Sequence, residues 1–349
     1  MARDPGASGG ARVTLERIAT LTGVSISTVS RSLAGDERIS LATREAVQRV
    51  AQQLGYVPDA AARSMRSRST RTLGLMVGDF IDPFHAIMTA GFERAARAHG
   101  YTVVIATGFG DLELERSALR VFIEHRNDAV ALLSTVIDPD EIRSVLRPDR
   151  LVLVQPENIR LADAAAGMER GAITVDDAGG ASLAVDHLVK LGCRSIGYVG
   201  VGMIATNVRR RTAVEQSVAA AGLPAARVFK AGPEGWRAPG AVAAQVARDR
   251  PDGLICYEDK LALALMDALR GFDIEVPRDL ALIGFDGIPF AALARPRLTT
   301  ITSPMAEMGR LAVEMLLDSI DAGEVGPSVV LPVKLTIGES TLRRVPSAI

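Results

Sequence analysis

Cysteine, histidine and aromatic residues are scarce in this chain, and long apolar runs are missing. Its 349 residues include two cysteines, four histidines and one tryptophan, and aromatic residues make up 4%. Cys193 and Cys256 match no metal-ligand spacing, which predicts reduced cysteines of a cytoplasmic protein without a metal site. No run of about 18 apolar residues suggests a membrane span. Residues 1–12 lack the apolar core of a signal peptide, so export is not expected either.

Positive charge is concentrated in the N-terminal part of the chain. The first 71 residues hold eleven arginines, no lysine and six acidic residues, a net charge of +5, and the remainder carries −6. The length and the 48% hydrophobic content predict more than one domain. A basic head on an acidic body is typical of a protein that binds nucleic acid through the head. A solvated basic tail is the alternative.

Residues 13–35 have the pattern of two short helices joined by a tight turn. Thr14 is a candidate N-cap, Gly23 allows the positive φ of a sharp turn, and Ser25 can cap the second helix. A third helix is predicted from Ser40 to Gly55. This spacing is typical of a helix-turn-helix, although a small three-helix bundle without a role in DNA binding has the same pattern.

In a helix-turn-helix, the N-terminal part of the second helix reads bases in the major groove. Hydroxyl groups can bind bases or phosphates, an arginine can bind guanine with two hydrogen bonds, and isoleucine can contact a thymine methyl. The candidate DNA-binding residues here are Thr14, Ser25, Ile26, Ser27, Thr28, Ser30 and Arg31.

The residues themselves closely resemble the headpiece of the lac repressor family (LacI/GalR type). The matching segments are Val13-Thr14-Leu15, Ile18-Ala19, Gly23-Val24-Ser25, Ser27-Thr28-Val29-Ser30-Arg31, Arg38-Ile39-Ser40, Leu54-Gly55-Tyr56 and Ala61-Ala62-Arg63-Ser64. The resemblance continues to about Thr341. It implies a bacterial transcriptional regulator with a headpiece at residues 12–58, a hinge at 59–71 and an effector-binding and dimerisation domain at 72–349.

The hinge segment is rich in alanine and arginine and has no apolar face long enough for an isolated helix. By itself it would be a flexible linker. The resemblance implies a hinge helix that binds the minor groove, with Ala62 and Met65 as further DNA-binding residues. Met65 stands where the family usually has leucine. Asp59 replaces the usual asparagine, which puts that contact in doubt because a carboxylate repels phosphates.

Short apolar runs alternate with helical patterns after Leu73, which predicts two series of parallel strands with helices on both faces. The predicted strands are Leu73–Val77, Thr102–Ala106, Ala129–Leu133, Leu151–Val154, Ala172–Val175, Ser195–Val199, Leu254–Cys256 and Leu280–Ile283. The predicted fold is therefore an all-α headpiece plus a two-lobed α/β domain. The segment from Leu298 resembles the return crossing of the periplasmic-binding-protein-like fold.

Ligands of such folds bind at the carboxyl ends of the strands, in the cleft between the lobes. The resemblance and these positions together suggest Phe84, Asp176, Arg210, Trp236, Glu258 and Asp286 as effector-binding residues. An arginine and a carboxylate can hold hydroxyl groups while an aromatic face covers a ring, which favours a sugar or related polyol. Glu258 stands where the family usually has asparagine, and Gln155-Pro156-Glu157 stands where it often has an Asp-Arg pair. Asp82 and Asp259 could simply be N-caps.

Two other classes of protein remain as alternatives. Residues 200–205 fit the dinucleotide fingerprint G-x-G-x-x-A, but no acidic residue lies between Glu215 and Glu234 for the ribose, and the following helix is expected only near Arg209. No triad motif suggests an enzyme, and no catalytic residue or cofactor is predicted. A secreted solute-binding protein would share the two-lobed fold but would have no use for the headpiece.

The sequence thus predicts a cytoplasmic repressor that binds a pseudo-palindromic double-stranded operator as a homodimer. A small-molecule effector in the cleft is expected to control its affinity for DNA. Release by an inducer is the expected direction, and corepression is the alternative. The residues after Thr341 show no heptad pattern that would join dimers into tetramers.

Overall fold

The computed structural model describes residues 13–56, 69–158, 160 and 169–342. Contacts divide the chain into two compact units, with the boundary between Thr70 and Arg71. Ala62 and Met65 of the predicted hinge lie outside the described residues.

The described part of the small unit, residues 13–56 and 69–70, contains three helices: α1 (Leu15–Thr22), α2 (Ile26–Leu33) and α3 (Leu41–Gln53). Thr14, Ser25 and Ser40 are their N-caps, and each side chain accepts a hydrogen bond from a backbone N–H of the first turn. Gly23 ends α1 at φ 67°, so the predicted turn is present. A small core of Ile18, Val29, Val47 and Ala51 holds the helices together.

The first lobe of the large unit is a six-stranded parallel sheet. Its strands along the chain are β1 (Thr72–Val77), β2 (Thr102–Thr107), β3 (Ala129–Leu133), β4 (Leu151–Val154), β5 (Ala172–Val175) and β11 (Val329–Leu331). They lie side by side in the order β11-β5-β4-β3-β1-β2. Helices α4 (Pro83–Ala98), α5 (Leu112–Glu124), α6 (Pro139–Val145) and α12 (Met305–Ala322) cover it. Leu73, Leu75 and Val77 face one hydrophobic cluster and Met76 faces another, as expected for a sheet buried on both sides.

The second lobe repeats this plan. Its strands are β6 (Ile196–Gly200), β7 (Arg227–Lys230), β8 (Gly253–Cys256), β9 (Ala281–Asp286), β10 (Thr299–Thr302) and β12 (Lys334–Thr336), in the order β12-β10-β9-β8-β6-β7. Strand β12 pairs antiparallel with β10. The helices are α7 (Asp177–Lys190), α8 (Ala205–Ala220), α9 (Gly240–Asp249), α10 (Asp259–Ala268) and α11 (Pro289–Leu293). Cys193 and Cys256 are both buried in its core.

The chain crosses between the lobes three times: after β5, between β10 and α12, and between β11 and β12. This confirms the predicted two-lobed α/β fold and its return crossing. The predicted start of the helix near Arg209 is wrong, because α8 already begins at Ala205. The N-cap of α8 is Ile204, whose side chain cannot accept a hydrogen bond. The start of this helix therefore has no capping residue that the sequence could reveal.

Helices α4 and α12 come into close contact through two glycines in the first lobe. A Cβ atom on Gly91 would collide with the carbonyl oxygen of Ala306, and one on Gly309 would collide with that of Met88. Both obstacles are backbone atoms, which cannot rotate away. Any side chain at either position must therefore push the helices apart.

We expect Gly309→Ala to destabilise the large unit by about 1–3 kcal/mol, the usual cost of overpacking a core. Gly240→Ala is the control, because that glycine begins α9 and a Cβ there would meet nothing within 4 Å. Urea unfolding of both variants can be followed by the fluorescence of Trp236, the single tryptophan. An unchanged midpoint for Gly309→Ala would show that the two helices do not meet so closely.

Candidate functional site

Helix α2 of the small unit has one buried and one exposed face. Val29 packs into the core, whereas Ile26 is 45% exposed, and Ser27 and Arg31 are exposed as well. The Nε of Arg31 donates to the carbonyl oxygen of Ser27 at 3.3 Å. The guanidinium therefore lies along the exposed face of the helix, one turn from its beginning.

Hydroxyl groups surround the first turn of α2. The Oγ of Ser25 accepts from the backbone N–H of Thr28 at 3.1 Å and lies 2.8 Å from the hydroxyls of Ser27 and Thr28. Thr14 is exposed at the start of α1, and Ser30 is half-buried. This end of the second helix is where a helix-turn-helix contacts base edges.

In the large unit, Arg210 on α8 is a fully buried cation. Its Nε donates to Asp177 Oδ1 at 2.9 Å, and one terminal nitrogen donates to the carbonyl oxygen of Tyr257 at 2.7 Å. The same nitrogen is 3.5 Å from Asp286 Oδ1. Its guanidinium carbon also lies 3.5 Å from the centre of the Phe285 ring, a cation–π contact. Arg210 thus joins the ends of β8 and β9 to the start of α7.

Asp286 ends β9 in a strained backbone conformation, with φ of 109°. Burial raises its pKa well above the ordinary value, and Arg210 opposes that effect. A buried carboxylate next to one cation retains lone pairs that hydroxyl groups of a ligand can use. Backbone strain of this kind is frequent at binding sites.

A lysine bridges the two lobes. Lys260 at the start of α10 places its Nζ 2.5 Å from Asp82 Oδ2 in the first lobe and 3.2 Å from Glu258 Oε2 in its own lobe. Asp82 is also the N-cap of α4, which confirms that expectation. Asp259 does not cap α10, because its carboxylate accepts instead from the hydroxyl of Thr300 and from two backbone N–H groups after β9.

A glutamate of the first lobe is inserted at the N-terminus of α8 in the second. Glu157 accepts from the Thr206 hydroxyl at 2.6 Å and from the Thr206 N–H at 2.9 Å, and its carbonyl oxygen accepts from Ala205 at 3.2 Å. Burial raises the pKa of this carboxyl to about 7, which Arg209 and Arg210 oppose. In the dinucleotide fingerprint, a pyrophosphate would occupy this helix terminus. Here a protein carboxylate fills it.

The other candidate effector residues do not all converge on the cleft. Trp236 is half-buried against the core of the second lobe, with Arg237 over its ring, and Arg237 reaches Asp79 of the first lobe at 3.6 Å. Phe84 is buried in the first-lobe core. Asp176 is exposed and caps α7 by accepting from a backbone N–H.

Sequence reasoning did not select four residues that carry much of the cleft's polar contacts: Asp177, Tyr257, Lys260 and Glu157. Asp177 lies next to the chosen Asp176, but only Asp177 pairs with Arg209 and Arg210. Tyr257 lies next to the chosen Glu258. Lys260 contacts Asp82, and Glu157 contacts Thr206, each in the opposite lobe, so no local pattern could indicate these two contacts.

Membrane spans and metal clusters are not found within residues 13–56, 69–158, 160 and 169–342. None of the helices in these ranges is long and apolar enough to cross a membrane. No three potential metal ligands among these residues come together.

A helix-turn-helix unit combined with a two-lobed α/β domain and a polar cleft defines a ligand-responsive DNA-binding regulator. The family model for bacterial regulatory proteins of the lacI family matches residues 14–59, and that for a periplasmic binding protein-like domain matches residues 185–341. The chain is 31% identical over 312 residues to the HTH-type transcriptional regulator GalR of Escherichia coli (strain K12), covering 88% of this chain and 89% of GalR. It is also 31% identical to CelR of Thermobifida fusca, covering 94% and 98% of the two chains.

Solved structures of other proteins have the same fold as this chain. The lac repressor dimer bound to operator and the anti-inducer ONPF matches with a TM-score of 0.85 at 20% identity, covering 95% of this chain and all of that chain. The chain belongs to the lacI family of bacterial regulatory proteins. It is a DNA-binding transcriptional regulator, as predicted, and the solute-binding alternative fits less well. Its relatives are transcriptional regulators and not enzymes.

The raised pKa of Glu157 predicts a pH-dependent stability. A carboxyl whose pKa is higher in the folded than in the unfolded protein adds to the free energy of unfolding. This contribution is fully present below the unfolded pKa, near 4.5, and is lost as the pH rises through the folded pKa of about 7. A shift of one pKa unit corresponds to about 1.4 kcal/mol, so the free energy of unfolding falls by about 3 kcal/mol over this range. We expect Glu157→Gln to flatten the fall in thermal stability between pH 5 and 8. Glu124→Gln, at an exposed position of α5, is the control. Identical pH profiles for wild type and Glu157→Gln would contradict this account.

Proposed function

We propose that this chain is a cytoplasmic repressor whose affinity for operator DNA is controlled by a sugar or related polyol bound between the two lobes. The observation that carries the effector site is the buried Arg210–Asp286 pair at the carboxyl ends of the second-lobe strands. Ligands of α/β sheets collect at this edge. The proposed domains are a headpiece at 12–58, a hinge at 59–71 and an effector-binding and dimerisation domain at 72–349.

The DNA-binding role of the headpiece rests on the exposed face of α2. Ile26, Ser27 and Arg31 are on this face, and Ser25 and Thr28 present hydroxyls at its first turn. Two headpieces of a homodimer would read the two halves of a pseudo-palindromic site, because a symmetric protein requires symmetric half-sites. Ala62 and Met65 are proposed to add contacts in the minor groove.

The choice of a polyol rests on the hydrogen-bonding groups in the cleft. Asp286 and Glu258 accept hydrogen bonds, and Arg210 fixes the position of Asp286. A structure titled as a CelR–cellobiose complex matches this chain with a TM-score of 0.67 at 28% identity, covering 94% of this chain and all of that chain. Trp236 and Phe84 have different roles in this proposal: Trp236 covers a ring at the cleft, and Phe84 supports the wall from the core.

Control of DNA binding would come from the angle between the lobes. Lys260 with Asp82, Arg237 with Asp79, and Glu157 with Thr206 all join one lobe to the other. A ligand that changes these contacts shifts the balance between two arrangements of the lobes, and only through its different affinity for each. The expected direction is release from operator by an inducer.

We expect Arg31→Ala to weaken operator binding by about 5- to 150-fold and to relax base preference, because a bidentate contact between arginine and guanine contributes about 1–3 kcal/mol. Arg49→Ala is the matched control, since it removes the same charge from an exposed position of α3. Gel-shift titrations on operator and on variants of its half-sites measure both effects. If both variants lost the same amount of operator affinity and neither changed its base preference, Arg31 would not be a base-reading residue.

We expect Asp286→Asn to lose at least tenfold in effector affinity while operator binding without effector stays within twofold of wild type. Asparagine tolerates positive φ and keeps the shape of the side chain, but an NH2 donor replaces one of the two carboxyl oxygens. Asp273→Asn, at an exposed position with φ of 54°, is the control. Calorimetry with an effector found by a thermal-shift screen of sugars and polyols gives the affinities. Unchanged affinity in Asp286→Asn would remove Asp286 from the site.

A further inference from the structure

The N-terminus of α8 differs from those of the helices that precede it in the large unit. Helices α4, α5, α6 and α7 each begin at an aspartate that accepts from their own first-turn N–H groups: Asp82, Asp111, Asp138 and Asp176. Helix α8 is 16 residues long and begins at Ala205, and its N-cap, Ile204, has no side-chain acceptor. Its first N–H groups therefore need an acceptor from elsewhere.

Glu157 supplies that acceptor from the opposite lobe. Both of its carboxylate oxygens are used, one by the N–H and the other by the hydroxyl of Thr206, at 2.9 and 2.6 Å. The side chain is only 8% exposed. Arg209 and Arg210, one turn further along α8, attract it. A helix N-terminus followed by arginines has the properties of an anion-binding site, and here the protein's own carboxylate occupies it.

Other cations at the cleft, among the residues that the structure describes, are also paired with protein carboxylates. Arg210 contacts Asp177 and Asp286, and Lys260 contacts Asp82 and Glu258. Arg237 contacts Asp79. An incoming phosphate or carboxylate would have to displace one of these carboxyl groups from its cation.

We infer that Glu157 is a specificity-determining residue that excludes anionic ligands from the cleft, so that the effector is an uncharged or cationic molecule rich in hydroxyl or amine donors. This inference rests on the proposed function only in taking the cleft as the effector site. It selects unphosphorylated sugars and amino sugars over sugar phosphates and sugar acids. A purely structural role for Glu157, that of holding the lobes together, makes no such selection.

The test uses inorganic phosphate as the probe, on the full-length protein at pH 8, where Glu157 is ionised. Thermal unfolding is measured against phosphate concentration, with chloride at the same ionic strength as the reference. Glu157→Ala removes the internal carboxylate and exposes the N-terminus of α8. Glu115→Ala is the matched control, because Glu115 is also buried and accepts from a threonine hydroxyl and a backbone N–H, but within one lobe.

We expect saturable stabilisation of Glu157→Ala by phosphate, with an apparent affinity at least tenfold above that of wild type. Wild type and Glu115→Ala should respond to phosphate as they do to chloride. Saturable binding of phosphate to wild type with the affinity of the variant would overturn the inference. So would a Glu157→Ala protein that phosphate stabilises no more than it stabilises wild type. If the alanine variant does not fold, Glu157→Ser, which is also short enough to vacate the N-terminus of α8, is measured with the same expectations.

The readout separates this inference from the proposed function. Phosphate binding by the variant requires neither operator nor effector. A protein that fails to bind operator would refute the proposed function and leave the phosphate result standing. A regulator that responds to a sugar phosphate through this cleft would refute the inference and leave the regulatory function intact.

Discussion

The buried guanidinium of Arg210 is the group around which the cleft is organised. A charge removed from water is tolerated only when it is paired and hydrogen-bonded, and losing one partner of a buried pair costs about 3–5 kcal/mol. Asp177, Tyr257 and Asp286 meet this requirement together, and Phe285 adds its ring face. These partners come from α7, from the loop after β8 and from the end of β9. Their positions cannot change independently as long as the cation stays buried.

This constraint explains how a small molecule could act on the whole domain. Asp177 directly follows the first crossing between the lobes, and the second crossing follows β10, whose neighbour β9 ends at Asp286. A ligand that binds Asp286 therefore acts close to two connections between the lobes. The bridges of Lys260 and Glu157 lie at the same edge and connect the lobes through side chains. Binding energy at the cleft is in this way linked to the arrangement of the lobes.

Much of the fold could be predicted because its central strands are short, continuous apolar runs. Ala129–Leu133 and Leu151–Val154 have the predicted bounds, since burial on both faces leaves no polar residue to blur them. Three strands were not predicted: β7 is mostly exposed, and β11 and β12 are only three residues long, although β11 is entirely apolar. In the headpiece, the caps Ser25 and Ser40 are local features, and the sequence alone indicated them.

The cleft was harder to predict because its contacts are long-range. Arg210 and Asp286 are 76 positions apart, and the partners Glu157 and Thr206 are 49 apart. Strand ends indicated the correct edge of the sheet but not which of two adjacent aspartates turns inwards. Asp176 caps a helix, whereas Asp177 pairs with the arginines.

The proposed regulator couples DNA binding to ligand binding in the cleft within one chain. Coupling between two sites is reciprocal. We therefore expect operator to lower effector affinity by the same factor by which effector lowers operator affinity. Calorimetry on one preparation, with the protein free and saturated with operator, measures the effector affinity in both states. An effector that binds with the same affinity with and without operator would refute this coupling.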